Sequence, residues 1–141
     1  MRVFLLIIGW LGLSIASAFA NVPAGNIGKI KGSGVLERGS DVIEGGSGVG
    51  VQTMDTAVTA RGTMRIDFID ETRVDITEHS RLVIDEFVYD PANDVGSLSI
   101  KASLGGVRYA SGQIAKKYRQ NVKISTPSAT IGVRGTDFVM I

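Results

Sequence analysis

Between Met64 and Asp85 the apolar side chains fall on every second position. Met64, Ile66 and Phe68 alternate with Arg65 and Asp67; Val74 and Ile76 alternate with Arg73 and Asp75; Leu82 and Ile84 stand among Arg81, Val83 and Asp85. A period of two marks strands with one dry face and one wet face. Asp70-Glu71-Thr72 and Thr77-Glu78-His79-Ser80 read as the turns between them. The spacing of about eight residues from Ile66 to Val74 and from Val74 to Leu82 predicts neighbouring antiparallel strands of a sandwich or barrel.

Upstream, glycine punctuates the pattern. Gly28-Lys29-Ile30-Lys31 and Gly34-Val35-Leu36-Glu37 read as two short edge-like strands. Gly45-Gly46-Ser47-Gly48-Val49-Gly50 lacks the lysine of a phosphate-binding loop and opens no helix, so it reads as a turn leading into a strand through Val49 and Val51. Downstream, Asp90-Pro91-Ala92-Asn93-Asp94 is turn chemistry joining two strands. Leu98, Ile100, Ala102 and Leu104 alternate with polar neighbours up to Gly105-Gly106, and Val107-Arg108-Tyr109 restarts the run. Residues 111–121 are the one candidate helix, with Ser111 as its cap and Gln113 near a reach-back position. Val122 and Ile124 begin the last strands, and Pro127 sits at the edge of residues 128–133, where a missing amide hydrogen harms a ladder least.

The first twenty residues follow a different rule. Arg2 precedes an apolar run from Val3 to Ala16, and Ala18-Phe19-Ala20 follows. This is the pattern of a secretory signal peptide, and its apolar core is shorter than the roughly 20 residues a membrane helix needs. Cleavage is expected between Ala20 and Asn21, leaving residues 21–141 as one exported domain with no membrane span. Removing Arg2 leaves 14 basic against 14 acidic residues, so bulk charge selects no partner, nucleic acid included. With no cysteine, disulfides and thiolate metal sites are excluded. Trp10 leaves with the signal, and the core must rest on Val, Ile and Leu with a few Phe and Tyr.

Three stretches carry more than periodicity. They are Ile84 to Pro91, Gly105 to Gly112, and the run Thr126-Pro127-Ser128-Ala129-Thr130-Ile131-Gly132-Val133-Arg134-Gly135-Thr136-Asp137-Phe138. Together they resemble the FecR domain of bacterial envelope proteins over roughly residues 45–141. The resemblance implies an all-β, jelly-roll-like sandwich of short antiparallel strands in the periplasm. It also implies a motif of mostly structural residues, Thr126, Pro127, Ala129, Ile131, Val133, Arg134, Gly135, Thr136 and Phe138, some of which could serve an interaction. The best-known members of the family regulate sigma factors from a cytoplasmic segment joined to a membrane helix; here a cleavable leader is expected in their place. Asp70-Glu71-Thr72 also departs from the family's usual Asp-Gly-Thr, and a longer or tilted hairpin is the expected consequence.

No constellation reads as an active site. Arg134, flanked by Gly132 and Gly135, offers a fork of donors either to an internal carboxylate that clamps the last turn or to an external one. His79 is the only histidine and reads as a solvated turn residue. Asp90, Asn93 and Asp94 carry oxygens of the kind calcium takes, without the spacing of a calcium loop. The Lys116-Lys117-Tyr118-Arg119 run reads as a solvated helix face. Asp67, Asp75 and Asp85 stand beside Arg65, Arg73 and Arg81, as in cross-strand ion pairs. Strand addition at Phe138-Val139-Met140-Ile141 is a route to self-association. The sequence thus points to a non-catalytic, cofactor-free periplasmic module that binds an envelope protein or polysaccharide. A signal sensor acting with a separate membrane partner and a peptidoglycan binder are its rivals.

Overall fold

The longest ladder joins strand β1 (Pro23–Arg38) to β4 (Thr56–Phe68), running antiparallel from Gly25 opposite Phe68 to Glu37 opposite Thr56. The computed structural model describes residues 22–127, 130–132 and 137–140, and every other strand is arranged around this ribbon. On the outer side of β1, β2 (Asp41–Glu44) pairs with the C-terminal half and β3 (Gly50–Gln52) with the N-terminal half. On the outer side of β4, β5 (Arg73–Ile76) takes Met64 to Asp67 and β6 (Arg81–Asp90) takes Thr56 to Val58.

The ladder therefore divides into two wings that share β1 and β4. One wing continues from β6 to β7 (Val95–Leu104), β9 (Val122–Ser125) and β10 (Thr130–Gly132); the other continues from β5 to β8 (Val107–Ala110) and β11 (Asp137–Met140). Phe68 of one wing stacks on Phe87 of the other, with ring centroids 5.3 Å apart and planes 30° apart. Such a contact adds about 0.5–1.5 kcal/mol beyond the area it buries. Ile66, Val74 and Leu82 are fully enclosed in this core, as their alternation requires; the side chain of Ile131 lies outside the described residues.

The change of wing is written into β4 as a change of phase. Ala57 and Thr59 point inward, then Gly62, Met64, Ile66 and Phe68 do, with exposed Ala60 and Arg61 in succession between them. On β1 only Ser33 separates the partners of Thr59 and Gly62, so β4 carries a bulge where the ribbon passes between wings. Gly32 and Gly62 face each other at that point. A Cβ on Gly62 would overlap the Lys31 carbonyl oxygen, and Gly32 has φ +73°, so the backbones meet where only hydrogen fits.

Among the described residues the fold is all-β with one short α-helix, as the sequence predicts, and three details differ. The segments expected as two short strands, 28–31 and 34–37, are parts of the single strand β1, because their glycines sit at bulges instead of ends. Strand β9 lies parallel to β7, with Leu98 opposite Val122 and Ile100 opposite Ile124, because the chain crosses over through β8 and α1 (Gln113–Lys117) before returning. Leu104, on the inward phase of its run, is exposed, since it lies at the end of β7 where the turn through Gly105 begins. The turn at Gly45 to Gly50 is confirmed by the Val49 to Gly46 hydrogen bond of 3.1 Å, and Val51 is buried in β3. Among the described residues no helix is long and apolar enough to cross a membrane.

Candidate functional site

The β4–β5 turn and the start of α1 meet at a buried carboxylate. Asp70 has no solvent exposure, and its oxygens accept the Thr72 backbone N–H at 3.1 Å, the Thr72 hydroxyl at 2.7 Å and the Ile114 backbone N–H at 3.0 Å. Its own carbonyl accepts the Gln113 N–H at 2.7 Å. Asp70 thus caps α1 from the far side of the β4–β5 turn, supplying an anion to free N–H groups. Ser111 was expected in that role; the N-cap position is instead Gly112, and Gln113 turns its side chain to Glu71 at 2.9 Å. A Cβ on Gly112 would overlap the Thr72 nitrogen and stand 2.5 Å from the Asp70 carbonyl oxygen. The arrangement holds backbone together and leaves no room for a ligand.

Glu71 occupies the middle of this turn at φ +72°. The Phe68 N–H donates to the Thr72 carbonyl at 2.8 Å to close the turn, and Glu71 adopts the left-handed conformation that a glycine would take freely.

Charge is concentrated on the outer face of the β5 wing. Lys29, Arg65, Asp75 and Arg108 stand directly opposite one another on four adjacent strands, β1, β4, β5 and β8. Lys31 and Thr63 form the next outward-facing pair along the β1–β4 ladder, and Thr77 closes the end of a shallow groove of about 370 Å³ lined by these residues. Arg65 donates Nε–H to Asp75 at 2.9 Å, and this hydrogen bond raises the Arg65 pKa further above its ordinary value. Lys29, Lys31 and Arg108 are exposed and make no ion pair among the described residues. This site is hard to see in the sequence because its cations come from three separate strands; the signal available is that Lys29 and Lys31 share the outward parity of Arg65.

Elsewhere the structure assigns most charged candidates to internal work. Arg65–Asp75 and Arg73–Asp67 (3.4 Å) are the cross-strand pairs expected, whereas Arg81 pairs with Glu37 and Asp85 with Lys101 at 3.4 Å. Asp90 accepts from the side chain of Asn93 at 2.7 Å, and Asp94 accepts from Lys117 and the Tyr118 hydroxyl, each at 3.0 Å. These contacts hold the Asp94 carboxyl below its usual range, Lys117 contributing most. His79 is exposed in its turn at φ +50°. Among the described residues no group of three or more His, Asp or Glu could hold a metal.

Of the C-terminal motif, Thr126 is half-buried and Pro127 exposed, together lining a groove of about 290 Å³ with Lys101, Ala102, Ser103 and Ser125. Ile131 lies opposite Ile124 and Phe138 opposite Tyr109 in the ladders. Ala129, Val133, Arg134, Gly135 and Thr136 lie outside the described residues, as do Ala20 and Asn21.

A search of curated proteins and a search of solved structures each found no match. A family model described as FecR protein matches residues 50–141, which takes in β3 to β11, the Asp70 turn that caps α1, and the C-terminal motif. That match covers well over half of the chain, and the protein belongs to the FecR family, whose domain is a signalling-related module of the cell envelope.

Proposed function

We propose that residues 1–20 export the chain and are removed between Ala20 and Asn21, and that residues 21–141 act in the periplasm as a non-catalytic interaction module. The module engages an envelope protein by strand addition at β11. The observation behind this reading is that β11 ends the hydrogen-bonded order of its wing, with β8 as its one strand neighbour among the described residues. A strand with one side unpaired offers N–H and C=O groups in register to an incoming strand. The carboxylates of Asp55, Asp70 and Asp94 are each engaged in contacts that fix the fold, which favours binding over chemistry.

In-cell photocrosslinking tests the reading. A benzophenone side chain replaces Val139 on β11 in one variant and Val42 on β2 in another, and the exported protein is recovered from the periplasmic fraction. A discrete adduct from position 139 alone is expected, on a chain whose first residue is Asn21. Equal labelling from both positions, or none from 139, overturns the proposal.

A further inference from the structure

We infer that the groove on the outer face of the β5 wing binds a linear anionic polysaccharide laid across the strands. Lys29 is the direct cross-strand partner of Arg65, and like charges placed opposite each other destabilise a sheet. The neighbouring row shows what a purely structural face does, because there Asp67 stands opposite Arg73 and pairs with it. The groove instead collects Lys29, Lys31, Arg65 and Arg108 against Asp75 alone, while the chain beyond its leader balances 14 basic with 14 acidic residues. Such a local excess of cations is disfavoured without an anion to neutralise it.

The geometry fits an extended polymer. From Lys29 to Arg108 the row crosses three strand spacings, about 14 Å at roughly 4.8 Å each. Arg65 is fixed by Asp75 through Nε, which presents its guanidinium to carboxylates or phosphates spaced along a chain. Thr63 borders the cations with a hydroxyl-bearing side chain, while the Thr77 hydroxyl at the groove's end is held internally by Gly106 and Ser80. A membrane surface fits less well, because Val22, Val42, Met54, Ile69, Val95 and Leu104, the large apolar side chains most exposed among the described residues, all lie outside the groove.

Titration calorimetry of the exported chain with oligogalacturonate, over a series of salt concentrations, tests the inference. Binding that weakens as salt rises is expected, with affinity reduced about tenfold or more in the Lys29→Gln/Lys31→Gln/Arg108→Gln variant and a shallower salt dependence. The Lys116→Gln/Arg119→Gln variant, which removes two of the three cations of the other basic run and leaves the Asp94-paired Lys117, should bind like the parent. Thermal melting supplies a second readout: relief of the Lys29–Arg65 repulsion should leave the triple variant at least as stable as the parent. Undiminished binding by the triple variant, equal loss in both variants, or binding only to vesicles containing phosphatidylglycerol would each overturn the inference.

Discussion

The Oδ2 atom of Asp70 accepts the backbone N–H of Ile114 at 3.0 Å, across 44 residues of chain, and so ties the β4–β5 turn to the start of α1. Three donors converge on this one carboxylate in a fully buried place. Removing the acceptor would strand all of them without water. Asp70→Ala should lower unfolding free energy by about 3 kcal/mol or more in urea titration. Thr72→Val, which deletes only the hydroxyl donor, should lose about 1 kcal/mol.

Glu71 supports a prediction of opposite sign. A non-glycine residue at φ +72° bears about 1–2 kcal/mol of steric cost, only partly offset by the exposed Gln113–Glu71 hydrogen bond. Glu71→Gly should raise the melting temperature by a few degrees even after the greater freedom of glycine in the unfolded chain is counted. Glu71→Ala keeps the steric conflict and should give no gain, which separates backbone relief from loss of the charge.

Asp55 is fully buried and is neutralised by Arg38, whose Nε and Nη2 donate at 2.9 and 2.8 Å, while the Gln52 N–H adds a third bond at 2.9 Å. Removing the cation would leave a buried carboxylate with one donor. Arg38→Ala should cost about 3–5 kcal/mol, and Arg38→Ala/Asp55→Ala should recover a measurable part of that loss in a denaturation cycle.

Asp94 gives a pH dependence. Lys117, and after it the Tyr118 hydroxyl, favours its ionised form and holds its pKa down. A carboxyl whose folded pKa is depressed contributes its full stabilisation above the unfolded value of about 3.9 and loses it as pH falls through the lower folded value. Carboxyl-detected NMR titration should place the Asp94 midpoint below that of a free Asp side chain, and Lys117→Ala should move it upward. An unmoved midpoint would show that the contact does not persist in solution.

Period two made the enclosed faces of Ile66, Val74 and Leu82 legible before any coordinates, since a strand with one buried side has few other ways to arrange its residues. The turn chemistry of Asp90-Pro91 and the helix near residue 113 were legible for the same local reason. The union of 28–31 with 34–37 into β1 was not, because glycine at a bulge and glycine at a turn look alike in sequence. Nor was the cation row, which exists only once register brings Lys29, Arg65 and Arg108 side by side. Asp70 as the cap of α1 was hidden by distance along the chain: rules for helix starts look for the cap among immediate neighbours, and here it arrives from another hairpin.

Because β1 and β4 are threaded through both halves of the molecule, neither half owns a complete boundary along which it could be peeled away from the other. Heat or denaturant that frees β5 from its place strips a neighbour from the very strand on which β6 depends. Calorimetry should accordingly record one sharp heat-absorption peak, with the enthalpy from its area equal to that from its shape.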